Sequence, residues 1–205
     1  MMYAINQDGV KSLPSKEGNF YCPCCASKVV AKMGSIKIHH WSHLSSEINC
    51  DSRPMSEWHL EWQSHFPLEM VEVYVNKKRR ADVLLPNNVA IEFQNSPISI
   101  ENVIERNNHH KDGVIWVHNF IGQTVNKQFF NKKEIKKGLY RALWKNPTLI
   151  FDRHKFRGEE IYFQFSEQTL GKICWVDYST KPFASFSFYL KTKKDFLSNF
   201  NLQAK

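Results

Sequence analysis

Two acidic residues are placed to do hydrolytic chemistry together. Asp82 lies in the run Ala81-Asp-Val-Leu-Leu85 and Glu92 in Val89-Ala-Ile-Glu-Phe93, both alternating with the two-residue period of a strand. Pro86-Asn87-Asn88 between them is turn chemistry, so the runs should form a hairpin. If Leu85 pairs with Val89, antiparallel register sets Asp82 opposite Glu92, with Cβ atoms about 5 Å apart. Like charges held that close are unfavourable without a compensating cation. Two hard oxygen ligands at this spacing suit Mg2+ or Mn2+ better than zinc. An ion held there would activate water and stabilise charge on a scissile phosphate. Gln94 falls on the same strand face, and Glu57 on the preceding helix offers a further carboxylate at the rim. The bland alternative makes Asp82 and Glu92 solvent-facing residues neutralised by Arg79 or Arg80. On composition alone the two readings weigh equally.

A second cluster carries different chemistry. Of five cysteines, Cys22, Cys24, Cys25 and Cys50 are grouped, and Cys174 stands apart. Cys22-Pro-Cys-Cys25 supplies a CxxC step, and His40-Trp-Ser-His43 followed by Cys50 supplies the other half of a tetrahedral site. An odd cysteine count in a chain read as cytoplasmic argues for metal rather than a disulfide framework. The expected zinc set is Cys22, Cys25, His43 and Cys50, with Cys24 and His40 as replacements. A segment this poor in core residues also needs a structural metal to fold.

The elements that must position these groups are legible from periodicity. A boundary is expected near Ser52-Arg53-Pro54. A helix follows, with Ser52 as a cap and Met55, Trp58, Trp62 and Phe66 at three- and four-residue spacing. Val71–Val75 reads as another strand. Ser96-Pro97 opens a helix from Ile98 to about Asn108, ended by Lys111-Asp112-Gly113, and Val114–Val117 reads as a buried strand. That order suggests a parallel crossover beside the hairpin. Residues 126–146 read as a basic amphipathic helix with Ile135, Leu139, Ala142 and Leu143 buried. Strands are expected around Thr148–Phe151, Glu160–Phe165, Ile173–Asp177 and Ala184–Leu190, then a short helix. In domains this gives a zinc module at 1–52, a core at 53–146 and a β-rich extension at 147–205. The core is expected to hold a mixed sheet of about four strands.

The net charge of +8 and pI near 9.2 fit a polyanionic partner such as DNA. Lys77-Lys78-Arg79-Arg80 leads into the Asp82 strand and could meet a phosphate backbone, as could the basic face of the long helix. At the end of the crossover helix, His109 and His110 are read first as capping residues. No apolar run is long enough to span a membrane and no leader is evident, so a soluble, cytoplasmic protein is expected. No Gly-rich phosphate loop or Ser/His/Asp order supports an NTPase or serine hydrolase.

The ordered motifs go further. Cys22-Pro-Cys-Cys25, His40-Trp-Ser-His43, Ser56-Glu-Trp-His-Leu60, Arg80-Ala-Asp-Val83, Ile91-Glu-Phe-Gln-Asn-Ser96, Ile98-Ser99, Glu105-Arg106 and Val114-Ile-Trp-Val117 span roughly residues 20 to 120. Together they resemble the PD-(D/E)XK nuclease superfamily, and more closely the competence protein CoiA family. The resemblance implies a restriction-endonuclease-like α/β core, a mixed sheet flanked by helices. It implies metal ligation by Asp82 and Glu92, with Glu57 as the acidic residue of the first core helix and Arg106 among the DNA-binding residues. It also implies work on DNA taken up in natural transformation or in recombination, alongside competence or recombination proteins. Gln94 departs from the pattern, standing where the superfamily usually has lysine. Glutamine carries no charge, but it can orient a water by hydrogen bonding. Two rivals to the enzyme reading are an inactive DNA-binding module of the same fold and a zinc-stabilised protein adaptor.

Overall fold

The computed structural model describes residues 1–45, 50, 55–75, 80–110, 112–121, 129–145, 160–177, 179 and 183–200. The chain divides into two compact units, Met1–Val73 and Tyr74–Lys205. Short strands build the first unit: β1 (Ala4–Ile5), β2 (Lys11–Ser12), β3 (Phe20–Tyr21), β4 (Lys28–Lys32) and β5 (His40–His43) form one sheet in the order β2-β1-β3-β4-β5. Its core is small, with Met1, Ala4, Cys22, Val29 and Trp41 buried. Trp41 ties the sheet together, donating its indole N–H to the Ser12 carbonyl at 2.9 Å while its ring lies 4.6 Å from Phe20.

Helix α1 (Glu57–Gln63) follows in the same unit. Its cap is Ser56, whose hydroxyl accepts from the His59 N–H, and not Ser52, which lies outside the described residues. The serine nearer the apolar run wins because an N-cap oxygen must reach the N–H two or three residues on. Trp62 is fully buried, as the apolar stripe requires.

The remaining strands are β6 (Val71–Tyr74), β7 (Arg80–Leu84), β8 (Ala90–Gln94), β9 (Val114–Asn119), β10 (Phe129–Lys136), β11 (Leu139–Lys145), β12 (Glu160–Ser166), β13 (Thr169–Asp177) and β14 (Phe183–Thr192). Among the described residues they form one nine-stranded sheet in the order β10-β11-β14-β13-β12-β9-β8-β7-β6, with β6 at the division between units. Helix α2 (Ile100–His109) joins β8 to β9, and the two strands pair in parallel. Ser99 caps α2, and Ile98 before it is buried in the same core cluster as Val103, a hydrophobic staple. Helix α3 (Lys193–Ser198) ends the described chain, its start fixed by a Thr192–Asp195 capping box. Hydrogen bonds from Thr192 hold the Asp195 carboxyl below its ordinary range.

Two expectations are corrected. The long basic helix over 126–146 is instead, across its described part, the β10–β11 hairpin. Gly138 turns the chain at φ +76°, and its N–H donates to Glu134 Oε1 at 2.8 Å. Ala142 is buried, yet Ile135 of the same expected stripe is 47% exposed. A helix would have put both on one face, whereas β11 takes its backbone partners from β14, from Leu139↔Tyr189 to Lys145↔Phe183. The second correction is sheet size, nine strands rather than about four. Parallel pairing of β12 with β9, Ile161 beside Trp116, attaches the C-terminal strands to the same sheet. The expected strand at Thr148–Phe151 lies outside the described residues.

Candidate functional site

The β7–β8 hairpin closes as its turn residues dictate. Leu85 donates to the Val89 carbonyl at 2.9 Å, Asn88 adopts φ +61°, and Val83 and Leu84 pair with Ile91 and Ala90. Ala81, Val83, Ile91 and Phe93 are buried on one side of the strands. By the pleat, Asp82 and Glu92 project to the other side.

Glu92 is 1% exposed and its charge is answered by α2. Arg106 Nη1 donates to Glu92 Oε2 at 2.7 Å, and His110 Nε2 donates to Oε1 at 2.8 Å. The donor role of Nε2 follows from the partner, since a carboxylate only accepts. The other ring nitrogen of His110 is buried and finds no hydrogen-bond partner among the described residues. Val103, Arg106, Asn107 and His110 recur at helical spacing, so a single face of α2 is laid on the strand pair. Asn107 Oδ1 accepts from the Trp116 indole at 2.9 Å, and the Arg106 guanidinium lies 5.7 Å from the Trp116 ring. Trp116 stacks on buried His118 at 5.9 Å. Asp82 is half-buried, and its Oδ2 accepts from the Phe93 N–H at 2.8 Å. Gln94 uses its amide N–H on the Ser96 carbonyl at 2.5 Å, which leaves its Oε1 to accept from a donor.

These donors suit a hard divalent ion incompletely. Both Glu92 oxygens are engaged by cationic or N–H donors, although each oxygen has a second lone pair. Among the described residues, no third His, Cys, Asp or Glu ligand atom gathers with Asp82 and Glu92.

Arg106→Met would leave the buried Glu92 with the His110 hydrogen bond in place of an arginine ion pair. Breaking a fully buried pair costs 3–5 kcal/mol, but the Arg106 side chain is 30% exposed, so solvent offsets part of that. The expected loss is about 2 kcal/mol, read from urea unfolding. Unchanged stability would show that the pair is not formed in solution.

The second cluster lies in the N-terminal unit. Cys22, Cys25, His43 and Cys50 bring one ligand atom each to within 4.8 Å of one another. Cys22 Sγ is 3.7 Å from Cys50 Sγ, and Cys25 Sγ is 3.4 Å from His43 Nε2. A tetrahedron with Zn–S bonds of about 2.3 Å has S–S edges of about 3.8 Å, and slightly shorter S–N edges. The cluster is therefore compatible with structural zinc. Burial pushes the Cys22 thiol up to about 11. Cys25 is lowered: burial opposes this, but hydrogen bonds from Ser27 and His43 outweigh it. Of the two replacement candidates, Cys24 is exposed and His40 turns Nδ1 to the Ile38 carbonyl at 2.9 Å.

Residues 3–53 match the family model for the competence protein CoiA N-terminal domain, and residues 53–155 match the CoiA nuclease-like domain. The chain belongs to the competence protein CoiA family. No curated protein matches the chain, and no solved structure does. The carboxylate site lies within the nuclease-like match, and the ligand cluster within the CoiA N-terminal match.

Other expected site residues in this CoiA family member are distributed unevenly. Glu57 is exposed at the start of α1, lining a cleft of about 360 Å3 with His40, Trp41 and His43 in the N-terminal unit. Arg80 opens β7 and is half-buried, while Lys77, Lys78 and Arg79 lie outside the described residues. Sequence reasoning passed over His110 as a helix cap and missed Asn107 and Trp116. The available signal was the four-residue spacing of Arg106 and His110, two cation-forming groups on one helical face. Among the described residues, no helix is long and apolar enough to cross a membrane.

Proposed function

We propose that this CoiA-family chain is a metal-dependent DNA nuclease that hydrolyses phosphodiester bonds in DNA taken up in transformation or processed in recombination. The observation that carries the reading is the β7–β8 register, Val83 with Ile91 and Leu84 with Ala90. Continued by one pair, it sets Asp82 opposite Glu92. The element order α1-β6-β7-β8-α2-β9 supports it, as does the nuclease-like family match.

In this mechanism Asp82 and Glu92 would hold a magnesium or manganese ion. An ion bound there would supply an activated water and charge neutralisation at the phosphate. Arg106 and His110 fix the Glu92 carboxylate, so its orientation costs nothing when substrate binds. Gln94 orients the attacking water through Oε1. Lys77, Lys78, Arg79 and Arg80 engage the phosphate backbone. Cys22, Cys25, His43 and Cys50 hold a structural zinc. The functional segments are the zinc module at 1–52, the core at 53–146 and the extension at 147–205.

One observation favours a second reading, a DNA-binding module without hydrolysis. Glu92 already has both oxygens paired, and Gln94 adds no cation. The two readings separate on incubation of the whole chain with single- and double-stranded DNA in Mg2+ or Mn2+. Cleavage that EDTA abolishes is the expected result. DNA bound but intact with either ion would leave the binding module standing alone.

A further inference from the structure

The C-terminal strands carry a surface that the nuclease reading does not use. Pairing places Arg141 with Ser187, Ser187 with Trp175, and Tyr189 with Lys172 on one face of β11, β14 and β13. Lys133 pairs with Arg141, extending the face onto β10. The opposite face is the core, with Ala142, Phe186 and Phe188 buried.

This face is covered at one end. Phe196 of α3 packs edge-on against Tyr162 at 4.8 Å, and both are buried. Beyond α3 the face changes character. Trp175 is 44% exposed and Tyr189 38% exposed, among the largest exposed apolar groups of the second unit. The Arg141 guanidinium lies 5.4 Å from the Trp175 ring, above Ser187, which is buried although it points to this side. Lys136 also belongs here: burial raises the Cys174 thiol at the β13 bulge, and the nearby Lys136 charge opposes part of that rise. The acids are answered: Glu160 is bound by Lys172 at 2.7 Å, and Asp177 is lowered by hydrogen bonds from Ser179 and by the Arg141 charge.

Exposed aromatic rings beside the exposed cations Lys133, Lys136 and Arg141 fit a flexible polyanion with flat groups. A duplex hides its base faces, and a protein lid would ask for the apolar continuity that α3 finds at Tyr162. We infer that the open face of β10, β11, β14 and β13 binds single-stranded nucleic acid. Trp175 and Tyr189 stack on bases, and Lys133, Lys136 and Arg141 hold the backbone. The inference goes beyond cleavage at Asp82 and Glu92 and does not require it.

The test is fluorescence anisotropy of the whole chain with a labelled oligothymidine of about 15 nucleotides, without divalent metal. Trp175→Ala with Tyr189→Ala should weaken binding about tenfold or more, and the paired phenylalanine variants should retain most of it. Lys133→Glu with Lys136→Glu, on an edge strand where folding tolerates change, should weaken binding too. Neutralising Lys133, Lys136 and Arg141 should flatten the salt dependence by about 0.7 per lost phosphate contact. Asp82→Asn should leave this binding intact, so failure of the nuclease reading would not remove it. Wild-type affinity in both the aromatic and charge-reversed variants would overturn the inference. So would an aromatic variant that loses duplex binding equally, since stacking needs unpaired bases.

Discussion

Asp82→Asn is expected to lower metal-dependent DNA cleavage on the order of a hundred- to a thousandfold, the scale of losing one group that stabilises transition-state charge. The fold should be preserved. Asp82 accepts from the Phe93 N–H at 2.8 Å, and an asparagine carbonyl can accept the same bond. Stability should therefore change by no more than about 1 kcal/mol. DNA affinity should stay level or rise, because one negative charge near the phosphate is gone. Single-turnover cleavage and anisotropy on the same preparation measure both quantities. Asp82→Ala is the harsher comparison, losing the hydrogen bond as well as the charge. Wild-type cleavage by Asp82→Asn would remove Asp82 from the mechanism and with it the paired-carboxylate centre.

The second large effect concerns the N-terminal unit. Stripping zinc with a strong chelator, or substituting Cys25→Ala, should unfold it. Zinc binding in small modules contributes roughly 10–16 kcal/mol of apparent folding free energy, as much as a whole domain's stability. The zinc cluster is continuous with the strand core of this unit: Cys22 is itself part of the buried cluster with Met1, Ala4, Val29 and Trp41. The expected observations are about one zinc per chain in the purified protein and a red shift of Trp41 emission on chelation. Occupancy should also fall as pH drops, because the ligands are thiolates and a neutral imidazole. A chain that binds no zinc, with unchanged fluorescence in EDTA, would reduce the cluster to reduced cysteines. Cleavage surviving in that state would separate the two sites functionally.

Both effects were anticipated from local signals. Pro86-Asn87-Asn88 dictated a turn, alternation on either side dictated strands, and the two together fixed which residues face each other. The CxxC step with His43 and Cys50 similarly needed only ligand chemistry. The basic stretch around Ile135 and Leu143 misled because an apolar stripe at three- and four-residue spacing also contains residues that alternate. Nothing local says that β14, far along the chain, supplies the missing backbone partners. Gly138 was the visible warning, as a helix breaker in the middle of the stretch.

What the sequence by itself determined is therefore chemical identity and local geometry: a carboxylate hairpin, a cysteine–histidine cluster compatible with zinc, and the strand–helix–strand order from β7 to β9. Only the tertiary structure decided what neutralises Glu92, how far the sheet extends, and which aromatic side chains remain on its surface. The reason is physical. Turn and periodicity signals arise within a few residues, whereas the Arg106–Glu92–His110 contacts and the β9–β12 and β11–β14 pairings join distant segments. Those contacts depend on burial and mutual fit, which a linear pattern does not record.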